Sequence, residues 1–528
     1  MRNLKRALSL ALAAIMLVGM MVVSASAASY NDLTDKDQIV NKDAVSMLVS
    51  LGIIEGKPDG SYAPTENVDR AQMAKMLSVI MNKGVDNSAL YQSVNSGLVD
   101  VNTNWAKGHI NYCYTTGIIA GRGNGKFDPS ATVTALEAAK MLLVAVGYDP
   151  KIEGFEGADW AINVSVRADE QGIFEGFTKD LSAPLNRDDA ALLIYNALDV
   201  EMIQSYTTNN YPIAYSDHRT ILADKYGVIK VQGVVVANEW ASLASDDGDA
   251  ALKEGKTTIY NGEGIFSTTG NTTVSKEDAS LKTQTFNVST PVDMLGKTVN
   301  LYIKKTTILA DSTVYGDPVV SDVNTVVTTG ETVLYSGAKD PQVDYDKLLG
   351  ENGLTDKDAK YFWNYNSGKY IPNTTEKYGD KTANVKGATL TIIDNNGDGE
   401  VDYVLSVEKA LADITSVNSK KETVTVRTLG TLDNKDVVGY EDMAKEDVVL
   451  YVQYGGRTYL EKPEVVTGEM EHFNVKGTEK YMTVGGEKYK ADGLKTNART
   501  EVVKFDVTRP MAYSLRPPTT STRTTTAT

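Results

Sequence analysis

Cysteine occurs once in 528 residues, as Cys113, so no disulfide can form within the chain and its stability has to come from packing. An exported chain of this size with a single cysteine fits a bacterial envelope, and Cys113 itself, in an apolar helical stretch, reads as a core residue. Histidine is almost as scarce. His109, His218 and His472 are the three, and none stands at metal-ligand spacing. No Gly-x-Ser-x-Gly elbow and no phosphate-binding loop is present, and the lone thiol has no nucleophile context. Basic residues are outnumbered, 53 Lys and Arg against 69 Asp and Glu. The net charge of −16 argues against a general nucleic-acid binder and against adsorption to anionic lipid. Long apolar runs are missing after the first, Ala7 to Val23. That run follows Arg2, Lys5 and Arg6 and leads into Ser24-Ala25-Ser26-Ala27-Ala28. A basic start, a short apolar stretch of about 17 residues and small residues at A-x-A spacing predict a secretory signal peptide over 1–27, with no membrane span after cleavage.

What is present is a repeat. Gly52-Ile53-Ile54-Glu55-Gly56 returns 65 residues later as Gly117-Ile118-Ile119-Ala120-Gly121. At the same offset Asp35 matches Asp100, Gly60 matches Gly125, Tyr62 matches Phe127, Pro64 matches Pro129 and Met76 matches Met141. A third, altered copy places Trp160-Ala161 55 residues after Trp105-Ala106, followed by Gly172 to Gly176 and Asn186 to Leu192. Each copy reads as helix, turn, helix. In the second, Trp105, Ala106, Ile110, Cys113 and Tyr114 keep helical period, and Gly117 can end that helix in a left-handed cap. Gly121, Gly123 and Gly125 allow a tight loop that Phe127 and Pro129 pin to the core. Thr134 with Glu137 forms a capping box before the second helix. One such copy cannot bury its own apolar stripe, so the three must pack together.

The ordered pattern Val99-Asp100-Val101, Trp105-Ala106, Gly117-Ile118, Gly121, Phe127, Pro129, Val133-Thr134 and Glu137-Ala138-Ala139 resembles an S-layer homology (SLH) domain. The resemblance implies an all-α, pseudo-threefold bundle that attaches an exported protein to a secondary cell-wall polysaccharide of a Gram-positive, clostridial-type bacterium, commonly through pyruvate-ketal groups. It divides the chain into repeats at 28–92, 93–150 and 151–200, with a 201–225 linker. The family sets an arginine at the start of the second helix. Here Asp69-Arg70-Ala71-Gln72 and Asn186-Arg187-Asp188-Asp189 keep it, whereas Thr134-Ala135-Leu136-Glu137 does not. Trp105 and Trp160 likewise have Val40 in their register in the first copy, so fewer than three working pockets are expected. Candidate polysaccharide-binding residues are Arg70 and Arg187 for bidentate capture of carboxylate, Trp105 and Trp160 for a sugar face, Asp35 and Asp100, and Gly121 and Gly123 for backbone donors. Against this, the tryptophans can be core residues, the arginines can serve solvated helix starts, and Asp35 and Asp100 can be structural caps.

Beyond Leu198 the texture changes to period-two runs rich in Thr, Val and Tyr. They include 227–236, 298–303, 422–427 and a hairpin over 447–460 turned at Gly455-Gly456. This predicts all-β, sandwich-like modules at 226–340 and 341–513. The loop Asp394-Asn395-Asn396-Gly397-Asp398-Gly399-Glu400-Val401-Asp402 sets Asp394, Asn396, Asp398, Glu400 and Asp402 as candidate calcium ligands. Position 12 is Leu405 and the flanks are strand-like, so the loop is either a calcium-binding hairpin or a plain polar turn. No cofactor is required, and Ca2+ is the one candidate. The low-complexity tail 514–528 is expected not to fold. With only Trp240 and Trp363 beyond the repeats, and any acid pair unremarkable among so many, the chain reads as non-enzymatic. The leading reading is a wall-anchored surface protein whose β modules project outward as an S-layer or surface-coat subunit, which self-assembly into an ordered lattice would favour. The alternatives are an SLH-anchored enzyme acting on polysaccharide, and an adhesin.

Overall fold

The computed structural model describes residues 30–243, 251–262, 267–269, 282–304, 312–329, 345–367, 388–463, 466–476, 479–484, 486–491, 501–504, 511–516 and 524–527. The expected signal peptide, 1–27, lies outside the described residues. The chain is multidomain, with a helical N-terminal part followed by β-sheet. It divides into two compact units. The first comprises residues 1–232, 261–288 and 300–319, and the second 233–260, 289–299 and 320–528.

Among the described residues, six α-helices build the first unit: α1 (Lys42–Ser50), α2 (Arg70–Met81), α3 (Lys107–Thr115), α4 (Ala135–Val146), α5 (Trp160–Glu170) and α6 (Arg187–Leu198). They form three helix-turn-helix copies, as the repeat predicts. The first helix of each copy ends the same way. Gly52, Gly117 and Gly172 take positive φ of 68°, 81° and 69°. The next amide then turns back to the helix, Ile53 to the Leu48 carbonyl, Ile118 to Cys113 and Ile173 to Ala168, each at 2.8–2.9 Å. Only glycine reaches that conformation cheaply, which is why it recurs at this point in all three copies.

The second helices begin around a closed ring. The Val68 amide donates to the Leu185 carbonyl (2.8 Å), Leu185 to Val133 (2.8 Å) and Val133 to Val68 (2.9 Å). One link from each copy closes the cycle, which is the pseudo-threefold arrangement the resemblance implies. Side-chain caps follow at once. Asp69 with Gln72 and Thr134 with Glu137 make full capping boxes, and Asn186 accepts from the Asp189 amide. Below the ring, one apolar cluster takes Met47, Leu77, Ile110, Phe127, Leu143, Val164 and Ile194 to near-zero exposure. The predicted core residue Cys113 belongs to it. Its thiol donates weakly to the Ala74 carbonyl at 3.4 Å, and burial pushes its pKa well above the ordinary range. The stretch 201–225 is more structured than a linker: Ile203–Tyr206 pairs with Pro212–Ala214 in a small hairpin.

In the second unit the predicted hairpin forms between Val448–Tyr454 and Arg457–Glu461, with Tyr454 opposite Arg457 across Gly455-Gly456. Those strands sit in a six-stranded sheet with Ala410–Asn418 and Thr423–Val426. A five-stranded sheet pairs Ala388–Asp394 with Tyr403–Glu408 and with Thr325–Thr329. A short α-helix, α7 (Tyr345–Glu351), covers it by burying Tyr345, Leu348 and Leu349, a helical departure from the all-β expectation. The last strands close a barrel that takes in Met511–Arg516 and Thr524–Ala527. Of the tail expected not to fold, the described residues 514–516 and 524–527 lie on these strands, and the others lie outside the described residues. Its threonines, read as low complexity, are also β-branched residues that suit a strand, and Thr524 to Ala527 pair with Val466 to Glu469.

Candidate functional site

The loop between the helices of each copy presents carbonyls toward the second helix of another copy. At the first loop, Arg187 from the third copy donates through Nε to the Tyr62 carbonyl (2.8 Å) and through Nη2 to that of Glu55 (3.2 Å), with its guanidinium 4.8 Å above the Tyr62 ring. At the second loop, Arg70 from the first copy repeats this with the Phe127 and Ala120 carbonyls, both at 2.9 Å, and lies 4.4 Å from the Phe127 ring. The arginines therefore hold helix starts through carbonyl oxygens and ring faces. This answers the oddity of a cation at a helix N-terminus, where the helix dipole gives it no help. At the third loop the equivalent residue is Ala135, fully buried, and no guanidinium is supplied.

Asp35 and Asp100 turn out to be clasps. The Asp35 carboxylate accepts from the Tyr62 and Ala63 amides (2.7 and 2.8 Å), and Asp100 from those of Phe127 and Asp128 (2.9 and 2.8 Å). These bonds lower the Asp100 pKa in spite of the opposing effect of burial. Both oxygens of each carboxylate face loop backbone. Of the two alternatives read from the sequence, the structural cap describes their hydrogen bonding.

Two cavities open beside the first two loops. The first, about 290 Å³, is walled by Glu55, Lys57, Gln72, Lys75, Trp105 and Arg187 among others. Trp105 is 58% exposed, so its indole is available to a flat apolar partner and does not belong to the core. The second, about 520 Å³, has Gly121, Gly123, Tyr114, Lys140 and Glu156 in its wall. Gly121 is needed there for space, since a Cβ would come within 2.9 Å of the Lys126 carbonyl. Trp160 is half-buried and packs against the core below Lys140, whose ammonium lies 5.6 Å from the indole and donates to the Phe155 carbonyl. Arg70 is only 4% exposed and does not reach this wall. Burial drives its pKa down to about 10, with Arg122 adding to the effect and Glu137 opposing it. Lys75, Gln72, Lys140 and Glu137 were missed as site residues in the sequence. Their signal was available, since Gln72 and Glu137 stand three residues, and Lys75 and Lys140 six residues, after the matching capping residues Asp69 and Thr134.

One constellation invites a catalytic reading. Ser78 Oγ lies 2.5 Å from His109 Nδ1, and Asp86 lies 3.6 Å from His109 Nε2. Ser78 and His109 are both buried, so no substrate carbonyl can reach the hydroxyl. Burial also lowers the histidine pKa. The trio braces α2 against α3.

The Asp394 loop satisfies itself. Asp394 Oδ1 accepts from the Asn396 and Gly397 amides, Oδ2 from Gly399, while Asn396 accepts from Asp398 and Asp398 from Glu400. Glu400 pairs with Lys357, and Asp402 accepts from the Asn395 amide. Among the described residues no group of three or more His, Cys, Asp or Glu is disposed to hold a metal.

The family model for the S-layer homology domain matches residues 29–74 and 99–139. The chain carries S-layer homology domains. The matched spans are the first two SLH copies, and the hydrogen-bonded ring supplies the structural equivalence of the third. The chain is similar to a cell surface protein of Thermoanaerobacter kivui, 27% identical over 270 residues that make 51% of this chain and 32% of that protein. It is similar to an S-layer protein of Bacillus licheniformis, 33% identical over 113 residues, 21% of this chain and 12% of that one. It is also similar to an amylopullulanase of Thermoanaerobacterium thermosulfurigenes, 30% identical over 185 residues, 32% of this chain and 10% of that enzyme. The chain thus spans a third or less of the length of these relatives. The SLH domains and the surface-protein relatives place it at the cell wall or surface layer of a Gram-positive bacterium. No helix among the described residues is long and apolar enough to cross a membrane.

Proposed function

We propose that the three SLH repeats anchor this chain non-covalently to an acidic secondary polysaccharide of the cell wall, and that the β-rich remainder serves as a structural subunit of the surface coat. The observation that carries the anchor is the first groove. A guanidinium, an ammonium, a neutral amide and an exposed indole converge on a cavity of about 290 Å³, near the lower end of the range for small-molecule sites. A planar cation matches a carboxylate in bidentate fashion, and an indole covers a sugar face. A pyruvate-ketal substituent offers both partners on one residue of the polymer. The direct test is co-sedimentation of the full chain with purified wall sacculi, before and after chemical removal of the secondary polymer. Binding that disappears with the polymer supports the reading, and binding that survives its removal refutes it.

The likeness to an amylopullulanase favours a second reading, in which the anchored β region acts on extracellular polysaccharide. Release of reducing sugar from wall or storage glucans by the full chain would replace the structural role with that one. Ordered assembly of the chain on sacculi without sugar release would support the coat.

A further inference from the structure

A histidine is buried behind the wall of the first cavity. His109, on α3, is 3% exposed, and its ring lies edge-on to the indole of Trp105 with centroids 6.4 Å apart. Trp105 and, from α2, Lys75 both line that cavity. The two ring nitrogens meet opposite kinds of neighbour. Nε2 faces one oxygen of the Asp86 carboxylate at 3.6 Å, and the other oxygen accepts from the Ser88 amide at 2.9 Å. A carboxylate only accepts, so the neutral ring keeps its proton on Nε2. Nδ1 is then an acceptor, and the Ser78 hydroxyl on α2 donates to it across the helix interface at 2.5 Å.

This arrangement suits one charge state. A second proton must go to Nδ1, the nitrogen that points into the interface. Nδ1 would then donate, and the Ser78 hydroxyl would have to turn to another acceptor, the Lys75 carbonyl at 3.2 Å. The helices would also enclose a cation. Among the described residues, the charged groups that face it are Lys75 on α2, which repels it, and Asp86 on the connector between α2 and α3, which attracts it. The Asp86 side chain is 53% exposed, so water screens its attraction, whereas burial acts on the ring directly. Desolvation dominates, and the His109 pKa lies below the ordinary histidine value.

We propose that His109 is an acid-released latch: a second ring proton frees α2 from α3 and loosens the wall that Trp105 and Lys75 give the first cavity. The inference does not depend on what fills that cavity. The folded chain takes up the proton less readily than the unfolded chain, whose histidines titrate at about 6.5. The latch is therefore fully closed above that value, and its contribution is lost as pH falls from there towards the folded-state value.

Hydrogen exchange of the full chain at about pH 7 and about pH 5, corrected for the intrinsic rates at each pH, reads opening of the helices directly. In the wild type, protection of the α2 and α3 amides is expected to fall by about threefold or more between the two conditions, within the limit of about tenfold per pH unit for one proton. His109→Gln cannot take up the proton and should lose much less in acid, whatever the substitution costs near neutrality. Asp86→Asn removes the attracting carboxylate at an exposed position, so its acid loss should exceed that of the wild type. A merely structural His109 would give the wild type and His109→Gln the same dependence on pH. That equality would overturn the latch, and so would an acid loss in Asp86→Asn no larger than that of the wild type.

Discussion

The first two SLH loops and the third solve one problem by different chemistry. Each must hold an irregular backbone against the second helix of another copy. The first two use a carboxylate clasp, Asp35 or Asp100, and an incoming arginine stacked on Tyr62 or Phe127. In the third, the spacing that aligns Trp160 with Trp105 puts Phe155 where Asp100 stands, and Phe155 is fully buried. Asn196 grips this loop by donating to the Ile173 and Glu175 carbonyls, and Lys179 pairs with Asp189 at 2.5 Å. Ala135 stands for the arginine, and Val40, 82% exposed, for the tryptophan. The backbone ring is nevertheless intact in all three. The architecture therefore depends on main-chain geometry and apolar burial, and the groove chemistry can be lost copy by copy without it.

That comparison can be broken most directly at the arginines. Arg70→Ala strands the buried Phe127 carbonyl and the partly buried Ala120 carbonyl and removes one of the two cations beside Glu137, and should cost about 3 kcal/mol. Arg187→Ala, at a more open site, should cost about 1 kcal/mol. Urea denaturation of the full chain measures both, and equal losses would contradict the contrast drawn between the grooves.

Next in size is the clasp. Asp100→Ala releases two loop amides and should destabilise by about 2 kcal/mol. Because the folded-state pKa of Asp100 is depressed, its contribution is complete above the unfolded value of about 3.9. It is lost as pH falls through the folded value. The gap between wild type and variant should therefore be widest near neutrality and close in acid, and a gap that widens in acid would exclude the clasp. Ala63, held by its partner Asp35 at a φ of 55°, offers the converse. Ala63→Gly should stabilise by up to about 1 kcal/mol by relieving the left-handed conformation. The smallest effect concerns the Asp394 loop, which we propose to be a plain turn closed by its own amides. Calcium in place of chelator should then move the melting temperature by less than about 1 °C, since only a ligand that binds the native state shifts it. A larger, saturable rise would restore the calcium reading.

Much of the helical part could be read in advance, for identifiable reasons. The glycine stops at Gly52, Gly117 and Gly172 and the Thr134–Glu137 box are local rules written in a few adjacent letters. The duplication exposed them by showing each more than once. The hairpin at Gly455-Gly456 was legible for the same reason. What the letters concealed was direction. Nothing local tells that Arg187 crosses to the first loop, or that Asp35 spends both oxygens on amides 27 and 28 residues away. The difference between Trp105 and Trp160, one exposed and one half-buried, also arises from packing between copies. In the β region, alternation located strands such as Thr298–Lys304 but not their partners, because pairing is set by distant segments.

The three-bond ring of Val68, Leu185 and Val133 has a mechanical consequence for the anchor proposed above. Every copy is both donor and acceptor, so withdrawing any one of them severs two links and leaves the third with no partner to complete a circuit. Tension reaching the ring cannot peel the copies away in sequence at low force. It meets a fastener that holds whole or lets go whole, as suits a mooring exposed to shear.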